Sequence, residues 1–266
     1  MPSTDAAFAG SIPALYDRCL GPMLFEPYAE DIASRASAFA PARILETAAG
    51  TGIVTERLAA FMPGVEIVAT DLNPDMLAVA QSRVNHPGVR FQPADAQDLP
   101  FPDASFDLVV CQFGVMFFPD RVRAHREARR VLRPGGRLLF NAWDALAANP
   151  IAEHLAEAVA RLFPADPPGF LGRVPFGYHE RDRIVADLRA AGFKRVEIET
   201  VTKTSRTSAA DAATGLCCGS PLRAEVETRA PGRLEEITEA VAAELRSVAG
   251  SDRLEQPMSA HVVSAA

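Results

Sequence analysis

From Arg43 onward, short runs rich in Val, Ile, Leu and Phe alternate with longer stretches whose apolar positions recur at helical spacing. That alternation is the signature of a parallel sheet crossed by helices. The short runs predict strands at Arg43–Thr47, Glu66–Asp71, Val89–Pro93, Phe106–Gln112 and Arg137–Trp143. Between them the periodicity predicts helices at Gly52–Met62, Pro74–Asn85 and Arg121–Leu132. Asn73 before Pro74 reads as an N-cap followed by a first-turn proline. Pro134-Gly135-Gly136 ends the third helix and turns the chain into the fifth strand.

Beyond Trp143 the pattern loosens. It predicts a helix over Pro150–Phe163, a proline-rich loop over Pro164–Pro175, a helix over Glu180–Ala191 stopped by Gly192, and a strand over Arg195–Lys203. Ala209–Gly250 reads as helical with breaks near Gly219–Pro221 and Pro231–Gly232, and Pro257–Ser264 reads as a last strand. Ahead of the sheet, Ser11–Phe39 reads as one or two amphipathic helices broken at Gly21-Pro22. The expected organisation is an N-terminal helical cap over 1–40 and one α/β domain over 41–266. Within that domain the core is 41–143, and the substrate-side insertions are about 145–180 and 205–255.

Composition narrows the class. The chain has 266 residues with 27 Lys+Arg against 34 Asp+Glu, a formal charge of −7, and 47 of its apolar residues are alanine. An acidic balance disfavours a nucleic-acid partner, which needs a basic surface. Arg121–Arg137 resists this with seven arginines in seventeen residues; a solvated helix face is the expected role, with Glu127 spaced to pair with Arg123 and Arg130. No apolar run is long enough to span a membrane, and Met1–Gly10 carries no secretory pattern. Cys19, Cys111, Cys217 and Cys218 form neither a disulfide framework nor a metal-ligand spacing, so no metal is expected. A cytoplasmic protein is the expectation.

The chemistry concentrates at strand ends. Ile44-Leu45-Glu46-Thr47-Ala48-Ala49-Gly50-Thr51-Gly52 carries a strand into a glycine turn and then a helix, the place where open α/β sheets bind ligands. Glycines at 50 and 52 allow a tight turn and close approach of the backbone to a ligand. Thr55 replaces the third small residue that a diphosphate dinucleotide prefers, and Glu46 is unhelpful beside pyrophosphate. An acid there suits a ligand with an ammonium and a sulfonium. Val68–Asp71 is a second strand ending in an acid, nineteen residues after Gly52, placed to accept both hydroxyls of a ribose. After the third strand, Asp95 can accept from an adenine amine while Ala96 leaves room beside the ring. Arg133-Pro134-Gly135-Gly136-Arg137 is structural.

In order and spacing these segments resemble the class I S-adenosylmethionine-dependent methyltransferases, closest to the branch that includes the ubiquinone/menaquinone biosynthesis C-methyltransferases. The words that carry the resemblance run from about Arg43 to Trp143. They are Glu-x-x-x-Gly-Thr-Gly, Ala-Thr-Asp-Leu-Asn-Pro-Asp-Met-Leu, Asp-Ala-Gln-Asp-Leu-Pro-Phe-Pro-Asp-x-Ser-Phe-Asp, Gln-Phe-Gly and Leu-Arg-Pro-Gly-Gly. The resemblance implies a Rossmann-like, doubly wound seven-stranded sheet, mostly parallel with an antiparallel last strand, and helices on both faces. It implies S-adenosylmethionine as cofactor and S-adenosylhomocysteine as product. It places Thr51, between Gly50 and Gly52, near the methionine end, Asp71 on the ribose, and Leu72 and Met76 by the adenine. Asp95 and Ala96 fall at the adenine edge, with Glu46, Ala48, Gln97, Gln112 and Phe113 completing the cofactor set. Gln112 departs from the small polar residue common at the end of strand four.

A sulfonium methyl is strongly electrophilic, so the protein has mainly to align acceptor and methyl and exclude water. A base is needed only if the acceptor must lose a proton. Tyr16, Tyr178 and His179 are the catalytic candidates, with His125 on the core side of its helix. The acceptor is expected to be a small apolar or aromatic molecule, facing Phe113–Phe118 with help from Ile12, Tyr16, Phe170, Phe176 and Tyr178. Two other readings remain: a non-catalytic cofactor-binding protein of the same fold, and a nicotinamide-dependent oxidoreductase, which Thr55, Glu46 and Asp95-Ala96 disfavour. Asp166-Pro167-Pro168-Gly169 is similar to an amino-methylation motif but lacks its aromatic and its strand-four position, so a loop is the better reading.

Overall fold

A computed structural model of the chain describes Gly10 and residues 12–266; what the sequence suggests for 1–9 and for Ser11 lies outside the described residues. A helical run opens it: α1 (Ile12–Leu15), a π-helical segment (Tyr16–Phe25) and α2 (Glu26–Ser37). The expected break at Gly21-Pro22 is absent, because Pro22 sits inside the π-helical segment. Proline lacks a donor and crowds the preceding turn, and wider i→i+5 turns such as the one from Glu26 N–H to Gly21 O make room for it.

The sheet region follows as β1 (Arg43–Thr47), α3 (Ile53–Phe61), β2 (Glu66–Asp71), α4 (Pro74–Arg83), β3 (Val89–Pro93), β4 (Phe106–Gln112), α5 (Arg121–Val131) and β5 (Leu132–Trp143). Asn73 caps α4 as expected, its side chain accepting from the Asp75 N–H, with Pro74 in the first turn. The remainder is α6 (Pro150–Leu162), α7 (Phe170–Arg173), α8 (Arg181–Ala190), β6 (Val196–Ser208), α9 (Ala209–Cys218), α10 (Leu222–Arg229), α11 (Leu234–Ala249) and β7 (Arg253–Ala265). The seven strands form one sheet in the order β3-β2-β1-β4-β5-β7-β6. β1 to β5 pair in parallel and β7 runs antiparallel to β5. The chain reverses its direction of winding between β1 and β4, the switch point where the loops on either side diverge and leave a crevice.

Several boundaries differ from the sequence expectation. β5 begins at Leu132 instead of Arg137, because Leu132 already pairs with Phe106; the register then shifts so that Leu108 meets Arg137. The Pro-Gly-Gly segment is thus an irregularity inside the strand. β6 and β7 run longer than predicted, and the proline-rich loop contains the short helix α7.

The apolar side of α5 is Ala124, His125, Ala128 and Val131, at helical spacing. Its arginines are only partly the solvated face expected. Arg130 donates to the carbonyls of Leu99 and Phe101 and pairs with Glu127 and Asp103. Arg123 donates to the Gln97 carbonyl, and the Arg121 guanidinium lies 4.5 Å from the centre of the Tyr178 ring. Several members of the run therefore fasten the segment after β3 and the start of α8 to this helix.

The contacts divide the chain into two compact units. One comprises Tyr28–Trp143, Tyr178–Val201 and Ala260–Ala266; its core is the strand interior, with Ile44, Leu45, Leu108, Val109 and Phe140 almost fully enclosed. The other comprises the residues up to Pro27, Asp144–Gly177 and Thr202–Ser259. It is mainly helical, with α9 packed on the π-helical segment and on α11, and α6 on α11. An Arg161–Glu244 pair links α6 to α11, and Glu225 accepts from the Gly169 N–H and from Arg173.

Candidate functional site

Two non-glycine residues with left-handed backbones mark the ends of the two central strands. Ala48 follows β1 at φ 53° and Phe113 follows β4 at φ 52°. Such conformations cost free energy and concentrate where function demands them. Between Ala48 and α3 the chain turns through Gly50 at φ 57° and Gly52 at φ 80°. A Cβ at Gly52 would lie 2.9 Å from that of Ala80, whereas one at Gly50 would meet nothing within 4 Å. Gly52 is required by packing between α3 and α4; Gly50 borders open space.

Asp71 ties this turn to the end of β2. Its Oδ2 accepts from the Gly50 N–H and its Oδ1 from the Asn73 N–H, each at 2.8 Å. Burial holds its pKa above the usual carboxylate range, against the pull of those backbone donors. A carboxylate oxygen accepts more than one hydrogen bond, so both retain capacity for a ligand. Next to it Leu72 is 59% exposed, while Met76 on α4 is buried.

Glu46 lies deeper. It is enclosed, and its Oε2 accepts from the Thr55 hydroxyl at 2.6 Å. Burial pushes its pKa up to about 8, the Thr55 hydrogen bond opposes this, and the nearby Asp71 charge adds to it. At neutral pH the side chain is therefore mostly protonated, a state that an approaching cation reverses. Thr51, in the glycine turn, is buried with its hydroxyl oxygen lacking any hydrogen-bond partner, and the Arg83 Nε donates to its carbonyl.

After β3, Asp95 closes a local turn by accepting from both the backbone and side-chain nitrogens of Gln97. Gln97 Oε1 in turn accepts from the Asp120 N–H at the start of α5. Gln97 thus braces the Asp95-Ala96 turn against α5, a role its sequence position did not reveal. Gln112, half-buried, ends β4, and beyond it the Phe113 ring stacks on Trp143 at 3.8 Å with Tyr28 edge-on to both. Val115 and Met116 are buried, whereas Phe117 and Phe118 keep partial exposure.

The structure brings Glu46, Ala48, Gly50, Thr51, Gly52, Asp71, Leu72, Asp95, Ala96, Gln97, Gln112 and Phe113 to the C-terminal ends of β1 to β4, with Met76 on the adjoining helix. The catalytic candidates each have partners of their own. Tyr16 stacks on Phe25 in the helical unit. Tyr178 is buried, donates its hydroxyl proton to Asp187, and has its pKa pushed well up by burial and that carboxylate. The His179 carbonyl oxygen lies 2.9 Å from His261 Nε2. A carbonyl can only accept, so Nε2 carries the proton and Nδ1 accepts from the Thr200 hydroxyl. His125 is enclosed against Phe140, and burial pushes its pKa down to about 4. Cys217 is buried with its thiol pushed up to about 12, and the Cys218 sulfur is 3.3 Å from the Thr238 hydroxyl.

The sheet order and this row of strand-end groups define the class: a seven-stranded Rossmann-like methyltransferase. A family described as methyltransferase domain matches residues 45–140. A demethylmenaquinone methyltransferase from Deinococcus radiodurans is 36% identical over 178 residues, 61% of this chain and 72% of that protein. Among solved structures, a Haemonchus contortus phosphoethanolamine N-methyltransferase 2 in complex with phosphomonomethylethanolamine and S-adenosylhomocysteine superposes with TM-score 0.61. It is 18% identical, and the match covers 98% of this chain and 59% of that one. The [4+2]-cyclase SpnF shares the fold at TM-score 0.55 and 20% identity, over 91% of this chain and 80% of its own. The chain belongs to the methyltransferase-domain family that contains the demethylmenaquinone methyltransferases. It is a methyltransferase whose methyl donor is S-adenosylmethionine.

Proposed function

We propose that this chain transfers the methyl group of S-adenosylmethionine to a small aromatic acceptor of the quinol type, and that the strand-end row described above holds the donor. The observation that carries the placement is Asp71, whose Oδ2 braces the glycine turn at Gly50 while its Oδ1 holds the Asn73 amide, both keeping lone pairs for a ribose diol. The residues present fit the donor. Thr51 offers a buried hydroxyl without a partner, Gly50 leaves space where any side chain would project, and Leu72 offers an exposed apolar surface for a purine. The quinol-type acceptor rests on the Deinococcus relative's name and on the phenylalanines that follow β4.

When bound, the donor supplies an electrophilic methyl on a sulfonium, and charge disperses as the methyl leaves. The chain's share is to orient and to exclude water. Asp71 and Asp95 fix the nucleoside, the glycine turn and Thr51 fix the opposite end, and Phe113 with Trp143 and Tyr28 keeps water from the ends of β4 and β5. Glu46 loses its proton when a cationic ligand settles nearby, which converts a tolerated neutral acid into a counter-charge. Tyr178 serves as a brace for α8 in this scheme, because its proton is held by Asp187. Methylation at a quinol ring carbon would replace a ring hydrogen, which must leave as a proton after the new carbon–carbon bond forms.

Incubation with radiolabelled S-adenosylmethionine and chemically reduced 1,4-naphthoquinone should give labelled, chloroform-extractable 2-methyl product. Transfer confined to polar acceptors such as phosphoethanolamine or histamine would overturn the acceptor class while leaving the donor assignment in place.

A further inference from the structure

One residue that no motif singles out belongs to this site by its place in the sheet. Asn141 lies in β5 within the apolar run Leu138-Leu139-Phe140-Asn141-Ala142-Trp143. It has no solvent exposure, and neither its Nδ2 nor its Oδ1 has a hydrogen-bond partner. A buried polar atom left unmet destabilises the fold, and here both ends of a carboxamide are unmet. A folded core keeps such a group when something else satisfies it.

The register says what Asn141 stands beside. In parallel strands, partners in register project to the same face, and so do residues two apart along a strand. Glu46 is in register with Ala69 on one side and Val110 on the other. Asp71 and Gln112, each two residues further, therefore share the Glu46 face. Gln112 is in register with Asn141, so Asp71, Gln112 and Asn141 form one tier on one face, a single step beyond Glu46. Strands are spaced ~4.8 Å apart, so the tier runs roughly 14 Å from β2 to β5. With the base taken by Asp95 after β3, as proposed above, the other end of a nucleoside held at Asp71 would run toward β1, β4 and β5, along that tier. Phe140, one residue earlier, faces the other way, against His125 of α5.

We infer that the Asn141 carboxamide receives the amino-acid end of the methyl donor, Nδ2 donating to its carboxylate and Oδ1 accepting from its ammonium. This rests on the methyl-donor placement proposed above. The match is chemical as well as spatial: a carboxamide carries one donor and one acceptor side by side, and an α-amino acid presents the complementary pair. The side chain is enclosed, with Phe113 stacked on Trp143 at the same strand ends.

The test compares S-adenosylhomocysteine with 5′-deoxy-5′-methylthioadenosine, which keeps the nucleoside and sulfur but lacks the amino-acid end. Calorimetry on the full chain and on Asn141→Leu should show S-adenosylhomocysteine binding weakened roughly 10- to 100-fold, and methylthioadenosine binding within about twofold of the parent. Asn141→Asp should weaken S-adenosylhomocysteine at least as much, because a second carboxylate faces the ligand's own. Because leucine removes both unmet groups from the core, the melting temperature of Asn141→Leu without ligand should hold or rise. Equal weakening of both ligands, or unchanged S-adenosylhomocysteine affinity in a folded Asn141→Leu, would overturn the inference. A parent chain that binds neither ligand would instead refute the methyl-donor placement.

Discussion

Asp71 shows how much one side chain can carry. Its carboxylate closes two backbone turns, from Gly50 and from Asn73, before any ligand is considered. Asp71→Ala should therefore weaken S-adenosylhomocysteine binding by about 1.5–3 kcal/mol, the scale for deleting a charged hydrogen-bonding group. Calorimetry checks it, and unchanged affinity would refute the ribose assignment. The acid at the end of β2 was legible from its position after a glycine turn. The second duty of Asp71, holding the Gly50 amide, was not, because it depends on β1 and β2 lying side by side. Asn141 was hidden for a related reason: a single asparagine in an apolar strand has no local meaning until its register with Gln112 is known.

At the scale of elements, the two glycines of the turn between β1 and α3 do different work, and substitution should separate them. Gly52→Ala forces a left-handed alanine and drives its Cβ into Ala80. A loss of about 1–3 kcal/mol in urea unfolding is expected from the backbone conformation, with the clash adding to it. Gly50→Ala shares the strained backbone but meets no protein atom. Its excess effect should fall on S-adenosylhomocysteine affinity, as the new methyl projects into the proposed ligand space. Equal stability losses in the two variants, with ligand affinity intact in Gly50→Ala, would contradict this division. Helices and strands of the sheet region were largely legible from periodicity, to within a few residues, since each buries a regular face. The exceptions have local physical causes: Pro22 is absorbed by π-helical turns, and β5 starts early because Leu132 finds a partner in Phe106.

At the scale of the whole molecule, two buried titrating groups set opposite slopes of stability with pH. His125 has its pKa pushed down to about 4 from an ordinary 6.5. Its contribution is therefore complete above about pH 6.5 and is lost as pH falls towards 4, by roughly 3 kcal/mol at most. Glu46 has its pKa pushed up to about 8 from 4.5. Its contribution is complete below about pH 4.5 and is lost as pH rises through 8. In urea unfolding, His125→Phe should lose less stability than the parent between pH 7 and 5, and Glu46→Gln should lose less between pH 6 and 9. Profiles parallel to the parent's in both variants would remove these groups as the source of the slopes. Binding of a cationic donor should also release protons at pH 7 in the parent and not in Glu46→Gln, measurable as a buffer-dependent binding enthalpy.

The order of strands and helices through Trp143, the glycine turn and the acids at strand ends were all determined by the sequence, because periodicity, turn chemistry and strand-end charge are local properties of neighbouring residues. No helix among the described residues is long and apolar enough to cross a membrane. Only the tertiary structure decided that Glu46 is enclosed and mostly protonated at neutral pH. It alone decided that Tyr178 is committed to Asp187, that arginines of α5 clamp the segment after β3, and that Asn141 joins the tier of Asp71 and Gln112. Burial, pKa and register depend on residues distant in the chain, so no single stretch of sequence contains them.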